Sequence, residues 1–289
     1  MSVDITYKNG STVLRRLGNF DIESILECGQ CFRWERNRKN GYTGIVGNNV
    51  VRIAQTGDSA EFIGCDLNDF NNFWFSYFDL GTDYGSIIKK LSADDEIMKT
   101  ATGFAPGIRI LKQPLFETLI SFIISANNSI PNIKRVIASL SSMYGNRIIF
   151  ENNEYFSFPE PIALANADVK DIALSKAGYR SQYIRKTAAA FMTNQLTVMM
   201  LKDMDYTNAK KKLMEYTGVG SKVADCTLLF SGAFTNAFPV DVWVKRVMEE
   251  LYLKEDTPVK KISDYAIDKF GNLGGYAQQY LFFYARSNL

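Results

Sequence analysis

The apolar positions change period part-way along the chain. Up to about residue 105 they alternate over short stretches, at Cys31 to Arg36, Tyr42 to Val46, Val50 to Ala54 and Ala60 to Gly64. Alternation puts every second side chain on one face of a strand. The stretches are separated by residues 37–41, 47–49 and 56–58, where Gly, Asn and Asp suit tight turns. An antiparallel meander is expected, and the aromatic segment Phe70 to Phe78 is expected to form a helix packed on it.

Beyond Pro106 the apolar positions recur at helical spacing. Leu115 to Ala126 predicts a strongly apolar helix stopped by Asn127 and Asn128. Pro131 sits at the start of the next helix, which runs towards Gly145. Asn166 is a candidate cap for a helix ending at Gly178, and another helix starts at Arg180 and runs through Phe191. Thr207 is a candidate cap for a helix ending at Gly218, and the remainder reads as helices. The expected fold class is α+β, an N-terminal antiparallel sheet domain over residues 1–105 followed by an all-helical domain over 106–289.

Composition narrows the chemistry. With 46% apolar and 22% charged residues, the 289-residue chain can bury a core. No apolar run approaches the roughly 18 residues of a membrane span, and the first residues lack the pattern of a secretory signal. A cytoplasmic protein with no membrane partner is expected. The chain has no histidine, which excludes Ser-His-Asp and Cys-His catalysis, a His base and His-ligated zinc. Cys28, Cys31, Cys65 and Cys226 are expected to be free thiols, since one CxxC without a second is no zinc ribbon. The net charge of +2 says little, but the basic residues are clustered. Lys176, Arg180, Arg185 and Lys186 share a stretch without an acidic residue, and Lys210, Lys211, Lys212 and Lys222 share one with Glu215 alone. Such clusters suit either solvated helix faces or one face turned to an anionic partner.

The most informative stretch is Leu213 to Cys226. A helix ends, Gly218-Val219-Gly220 turns, and a second helix is expected to begin at Lys222 with Ser221 as its cap. Glycines permit a tight turn, and amides at a helix N-terminus suit a phosphate. Downstream, Asp241 is placed as the cap of a further helix, and capping alone would explain it. A lysine at a helix N-terminus is electrostatically misplaced, because the dipole there is positive. That field favours an uncharged amine, the form a lysine nucleophile needs.

This segment resembles the helix-hairpin-helix of base-excision DNA glycosylases, at about residues 207–230. Lysine after Gly-Val-Gly-Ser, with Val240-Asp241-Val242 downstream, is similar to the 8-oxoguanine DNA glycosylase family. Four further motifs resemble that family in order: Cys28 to Trp34, Ile124 to Ile130, Gly178-Tyr179-Arg180 with Tyr183, and Gly275 to Phe282. The resemblance implies a bifunctional DNA glycosylase and AP lyase acting on duplex DNA with an oxidised purine. It implies that Lys222 attacks C1′ and forms a Schiff base, and that Asp241 stabilises positive charge at the sugar. It implies that Gly29 offers a carbonyl to the N7 hydrogen of 8-oxoguanine, that Cys226 and Phe282 sandwich the flipped base, and that Gln278 reads its pairing edge. For DNA binding it implies Asn127 in the gap left by the extruded nucleotide, Tyr179 as a wedge with Arg180 beside it, and the hairpin glycines Gly218 and Gly220. Carbonyls of Met214, Tyr216 and Val219 would hold a structural cation such as Ca2+ or K+.

The chain departs from the family in places. Eukaryotic relatives have a histidine where Trp243 stands and its acidic partner where Ala285 stands. They also have an arginine where Asn132 stands, so weaker reading of the opposite base is expected. No cysteine follows Cys226, so no iron–sulfur cluster is expected. A monomer is expected. Three other readings stay open on the residues: a monofunctional alkylated-base glycosylase, a non-enzymatic hairpin DNA-binding module, and a protein–protein scaffold.

Overall fold

The computed structural model describes residues 3–37 and 41–288. Residues 38–40, within the turn expected over 37–41, lie outside the described residues. The N-terminal half is built on strands β1 (Asp4–Lys8), β2 (Ser11–Arg15), β3 (Trp34–Arg36), β4 (Gly41–Val46), β5 (Asn49–Thr56) and β6 (Ser59–Ile63). They form an antiparallel sheet in the order β1-β2-β6-β5-β4-β3. The meander β3 to β6 is as expected, though its first strand starts at Trp34 rather than Cys31. Trp34 lies opposite Gly44, where even a methyl group would meet the indole ring at 2.3 Å. The aromatic segment is helical, as α2 (Leu67–Asp69), a π-turn over Phe70–Trp74 and α3 (Phe75–Tyr77). Its Phe70, Trp74 and Phe78 are buried against Phe62 and Trp34 of the sheet.

The alternation-based reading passes over three helices in this half: α1 (Ile22–Glu27), α4 (Tyr84–Leu91) and α5 (Glu96–Phe104). Each opens on an aspartate whose side chain accepts from a backbone N–H three residues on: Asp21, Asp83 and Asp95. The buried residues fall into two clusters. One runs from Leu14 to Leu80 and takes in Leu111. The other takes in Cys28 and Phe32 and runs from Tyr84 to Ala285, so α4 and α5 pack with the helical half.

That half contains α6 (Leu115–Ser125), α7 (Ile130–Tyr144), α8 (Pro161–Asn166), α9 (Val169–Leu174), α10 (Arg180–Asn194) and α11 (Val198–Lys202). It continues with α12 (Tyr206–Met214), α13 (Ser221–Phe230), α14 (Val242–Val247), a π-turn over Met248–Leu253, α15 (Val259–Phe270) and α16 (Gly274–Asn288). It is not wholly helical: β7 (Arg147–Phe150) and β8 (Asn153–Phe156) form a hairpin. From Leu115 to Ile124 every residue of α6 is buried, which makes it the central helix. Asn127, in the left-handed region at φ +51°, ends the run into that helix's loop.

Three expected caps are displaced by one or two residues. Asn166 is the last residue of α8, and Asp168 caps α9, which ends at Leu174. Asp205 rather than Thr207 caps α12, which ends at Met214. Gly220 precedes α13, and Ser221 is its first helical residue. In the first two cases a carboxylate stands near the Asn or Thr and is the better acceptor for N-terminal amides. Asp241 caps α14 as expected, accepting from Val244 N–H at 2.8 Å.

Candidate active site

Lys222 is the second residue of α13, and the Gly218 turn that carries it is sterically defined. Gly218 has φ +85°, and a side chain there would meet the Tyr183 ring at 2.7 Å. The helices flanking the turn are pinned to each other by a buried group: Asp225 of α13 pairs with Lys210 of α12 at 2.7 Å and accepts from Tyr206 at 2.6 Å. Lys212 pairs with Glu215. Two lysines of the expected basic cluster therefore have carboxylate partners within the fold, and Asp225 was hidden from the charge count because it lies beyond Lys222.

The Lys222 Nζ donates to Ser125 Oγ at 3.2 Å and stands 4.9 Å from the centre of the Phe122 ring. Both partners come from the end of α6. Lys222 and Asp241 line the same cavity of about 40 Å³, with Gly29, Cys226, Gln278 and Phe282. Burial raises the Asp241 carboxyl above its ordinary range, against the N–H bond from Val244 and the nearby Lys222 charge. Cys226 is pushed up to about 12 by burial, so it is a neutral thiol beside the lysine. All four cysteines are free and buried.

The two walls of this cavity come from distant parts of the chain. Gly29 follows α1 at φ +79°, and a side chain on it would touch the Phe282 ring at 3.0 Å. Gln30 anchors the loop from below. Its amide donates to Ile25 O and Arg109 O, each at 2.8 Å, and accepts from Leu111 N–H at 2.8 Å. From the other side α16 supplies Gln278, whose buried Oε1 has no hydrogen-bond partner. Gln279 donates to Cys28 O at 2.7 Å, and Arg286 donates to Glu27 O at 2.6 Å. A buried acceptor in a cavity wall can take a hydrogen bond from a group bound there.

The cavity adjoins a groove of about 650 Å³ that also holds Asn127, Gly218, Gly220 and Trp243. Asn127 sits on the groove, and its loop is held by Arg180. The buried Arg180 guanidinium donates to the carbonyls of Ala126 and Asn127. Arg180 thus braces the Asn127 turn rather than projecting outward. Tyr179 is 60% exposed and lies against the Arg180 guanidinium and the Tyr183 ring. Asn132 donates to Asn128 Oδ1 at 2.7 Å and accepts from Arg135, one turn on. Met214 ends α12, and Val219 N–H bonds to Tyr216 O at 3.1 Å within the turn.

The arrangement is an amine and a carboxylate sharing a pocket beside a groove, with the amine carried on the second helix of a helical hairpin. A model of the 8-oxoguanine DNA glycosylase N-terminal domain matches residues 12–119, and one of the HhH-GPD superfamily of base excision DNA repair proteins matches residues 120–271.

The chain belongs to the 8-oxoguanine DNA glycosylase family of the HhH-GPD superfamily.

Among relatives of this family member, the N-glycosylase/DNA lyase of Saccharomyces cerevisiae is 31% identical over 86% of this chain and 72% of its own length. The probable N-glycosylase/DNA lyase of Methanothermobacter thermautotrophicus is 31% identical over 67% of this chain and 68% of its own. A solved structure of the Clostridium acetobutylicum 8-oxoguanine glycosylase/lyase, bound to double-stranded DNA with cytosine opposite 8-oxoguanine, is 41% identical. It superposes with a TM-score of 0.96, covering 100% of this chain and 99% of that one.

Sequence reasoning missed Phe122, Gln30, Gln279, Arg286 and Arg135 as neighbours of the site. Ser125, Gln30 and Gln279 stood inside quoted motifs, without a role of their own. The others contact the site through folding, and no local pattern marks them.

Proposed function

We infer that this protein excises 8-oxoguanine from duplex DNA and then cleaves the strand at the abasic site. The observation that carries the reading is Lys222 at the start of α13, sharing one cavity with Asp241 and the unsatisfied Gln278 Oε1, in a chain of this family. Lys222 Nζ forms a bond to C1′ as the bond from C1′ to the base breaks, and the base leaves with a proton. The sugar ring opens to a Schiff base. Loss of a proton from C2′ then expels the 3′ phosphate by β-elimination. Asp241 offsets the positive charge that develops at the sugar. The hydroxyl of Ser125 orients the amine, and the Phe122 face lies beneath it.

Recognition is assigned to the pocket walls. The Gly29 carbonyl takes the N7 hydrogen that guanine lacks, and a wrong base leaves that carbonyl unpaired. Gln278 reads the pairing edge, while Cys226 and Phe282 cover the two faces of the base. Asn127 fills the vacated stack, Tyr179 wedges beside the estranged base, and Arg180 keeps both in place. Gly218 and Gly220 present amides to a phosphate. The carbonyls of Met214, Tyr216 and Val219 follow one another along the end of α12 and the turn after it, and neutral oxygen donors fit Ca2+ or K+. Such an ion would link the hairpin to a phosphate.

Lysine at this position argues against a water-using alkylated-base glycosylase, and a pocket with an unsatisfied acceptor argues against a passive DNA-binding module. The reading includes action as a monomer, since one copy contains every residue named, and work in the cytoplasm without a metal in catalysis or an iron–sulfur cluster. Among the described residues no helix is long and apolar enough to cross a membrane. The reading takes residues 1–105 and 106–289 as its two domains, with α4 and α5 of the first packed into the core of the second. The test is a duplex carrying one 8-oxoguanine, opposite each of the four bases in turn. Strand cleavage at the lesion is expected. Release of alkylated purines but not of 8-oxoguanine would overturn the reading.

A further inference from the structure

Helix α16 does two things at the pocket. It carries Gln278 and Phe282 in the wall, and it reaches across to hold the loop that ends α1. Gln279 donates to Cys28 O at 2.7 Å and Arg286 to Glu27 O at 2.6 Å, the two residues before Gly29. The Arg286 guanidinium also lies 5.8 Å from the Phe282 ring centre, and its Nη1 is 3.6 Å from where a Gly29 side chain would begin. Arg286 therefore lies beside both Gly29 and Phe282, which line the cavity.

Its second arm is the telling feature. Arg286 Nη1 is buried without a hydrogen-bond partner, although the residue stands only one turn from the end of α16, where solvent is near. A buried unsatisfied donor lowers stability, so stability alone does not account for an arginine here. A planar fork that bonds the Glu27 carbonyl with one nitrogen while the guanidinium stands over the Phe282 ring does account for it.

We propose that Arg286 is a positioning residue for base recognition: it fixes the Gly29 carbonyl relative to Phe282, with Gln279 as its companion. The inference rests on the reading of Gly29 and Phe282 given above. A carbonyl that must meet one N–H has to be held to a fraction of an ångström, and misplacement costs rate. The step after base loss does not use the pocket walls. Loss of Arg286 should therefore separate the two activities.

The experiment compares native protein with Arg286→Ala under single-turnover conditions, on a duplex with 8-oxoguanine and on the same duplex with a preformed abasic site. Excision should fall by roughly tenfold or more, the scale set by one lost charge-assisted hydrogen bond. Cleavage of the preformed abasic site should stay within about twofold, and Gln279→Ala should repeat the pattern more weakly, since its bond is neutral. If Arg286→Ala does not fold, Arg286→Lys serves. It keeps the charge but not the fork, so excision should again fall more than abasic cleavage. Excision falling at least five times further than abasic cleavage supports the assignment; any smaller separation, including loss of both activities together or neither, overturns it. Native protein that cleaves abasic sites but never excises 8-oxoguanine would instead sink the reading of the pocket.

Discussion

The two sides of the groove are built on different principles. On the pocket side the polar groups are held by partners far away in sequence, with separations of 251 and 259 residues for the two bonds from α16 to the Gly29 loop. The cavity still keeps one unsatisfied acceptor, Gln278 Oε1. Around the Asn127 turn, the side proposed to face the opposite strand, the side chains serve one another. Asn132 bonds Asn128 and takes the Arg135 guanidinium, and Arg180 is spent on the carbonyls of Ala126 and Asn127. Tyr179 protrudes, 60% exposed. One side is a buried pocket whose wall keeps an unpaired acceptor, suited to hold a base. The other is a braced wedge with little left over to read one. The difference teaches that this protein should choose its lesion sharply and the opposite base loosely.

The largest break in that comparison comes from the pocket. Lys222→Gln keeps the length and removes the nucleophile, and excision should fall by on the order of a thousandfold or more. Binding to a lesion-containing duplex, followed by fluorescence anisotropy, should persist, because the wedge and hairpin are untouched. Asp241→Asn comes next. The amide can still cap α14, so folding should hold, but a neutral group stabilises the sugar cation poorly, and excision should drop by about a hundredfold.

Acidity gives a finer cut on the same residue. Burial raises the Asp241 carboxyl above its usual value of 3.8. The active form is the carboxylate, so activity is full above the raised value and is lost as pH falls through it. The acid limb of native excision should therefore lie above pH 3.8, and the residual activity of Asp241→Asn should lack it. Cys226, held near 12, should add no limb between pH 6 and 9.

The opposite-strand side gives smaller effects. Asn132→Arg frees Arg135 and adds a fork of donors that suits an estranged cytosine. The preference for cytosine over the other opposite bases should rise by roughly tenfold to a hundredfold, the scale of one bidentate contact. If the native protein already prefers cytosine that strongly and the arginine adds nothing, Arg135 already supplies the contact, and its own replacement by alanine should remove it. Least in size is the electrostatic contribution of the exposed Arg185 and Lys186. Replacing both with alanine should flatten the salt dependence of duplex binding by about 0.9 in slope for each phosphate released, without changing lesion preference.

The sequence was legible wherever the chemistry is local. The period change separates sheet from helices, the aspartate at 241 sets its own helix start, and the hairpin places Lys222 on a helix N-terminus. Caps were misplaced where two acceptors compete within two residues, as at Asn166 and Asp168, because alternation of polar residues does not rank them. Within the second basic cluster the partner of Lys210 was not legible, because Asp225 lies one turn into α13 and reaches Lys210 only after the hairpin closes. Arg180 reads as a DNA contact in a basic stretch, yet its side chain turns inward. Contacts between α16 and the Gly29 loop join the two ends of the chain, and no spacing rule reaches that far.

The central claim is that Lys222 is the nucleophile in a pocket made for an oxidised purine. Its most direct test is reductive trapping: protein and a duplex with one 8-oxoguanine are incubated with borohydride, and the covalent adduct is mapped by mass spectrometry. A stoichiometric adduct on Lys222, absent from Lys222→Gln and from duplex without the lesion, is the expected result. Base release without any adduct, or an adduct on another lysine, would contradict it.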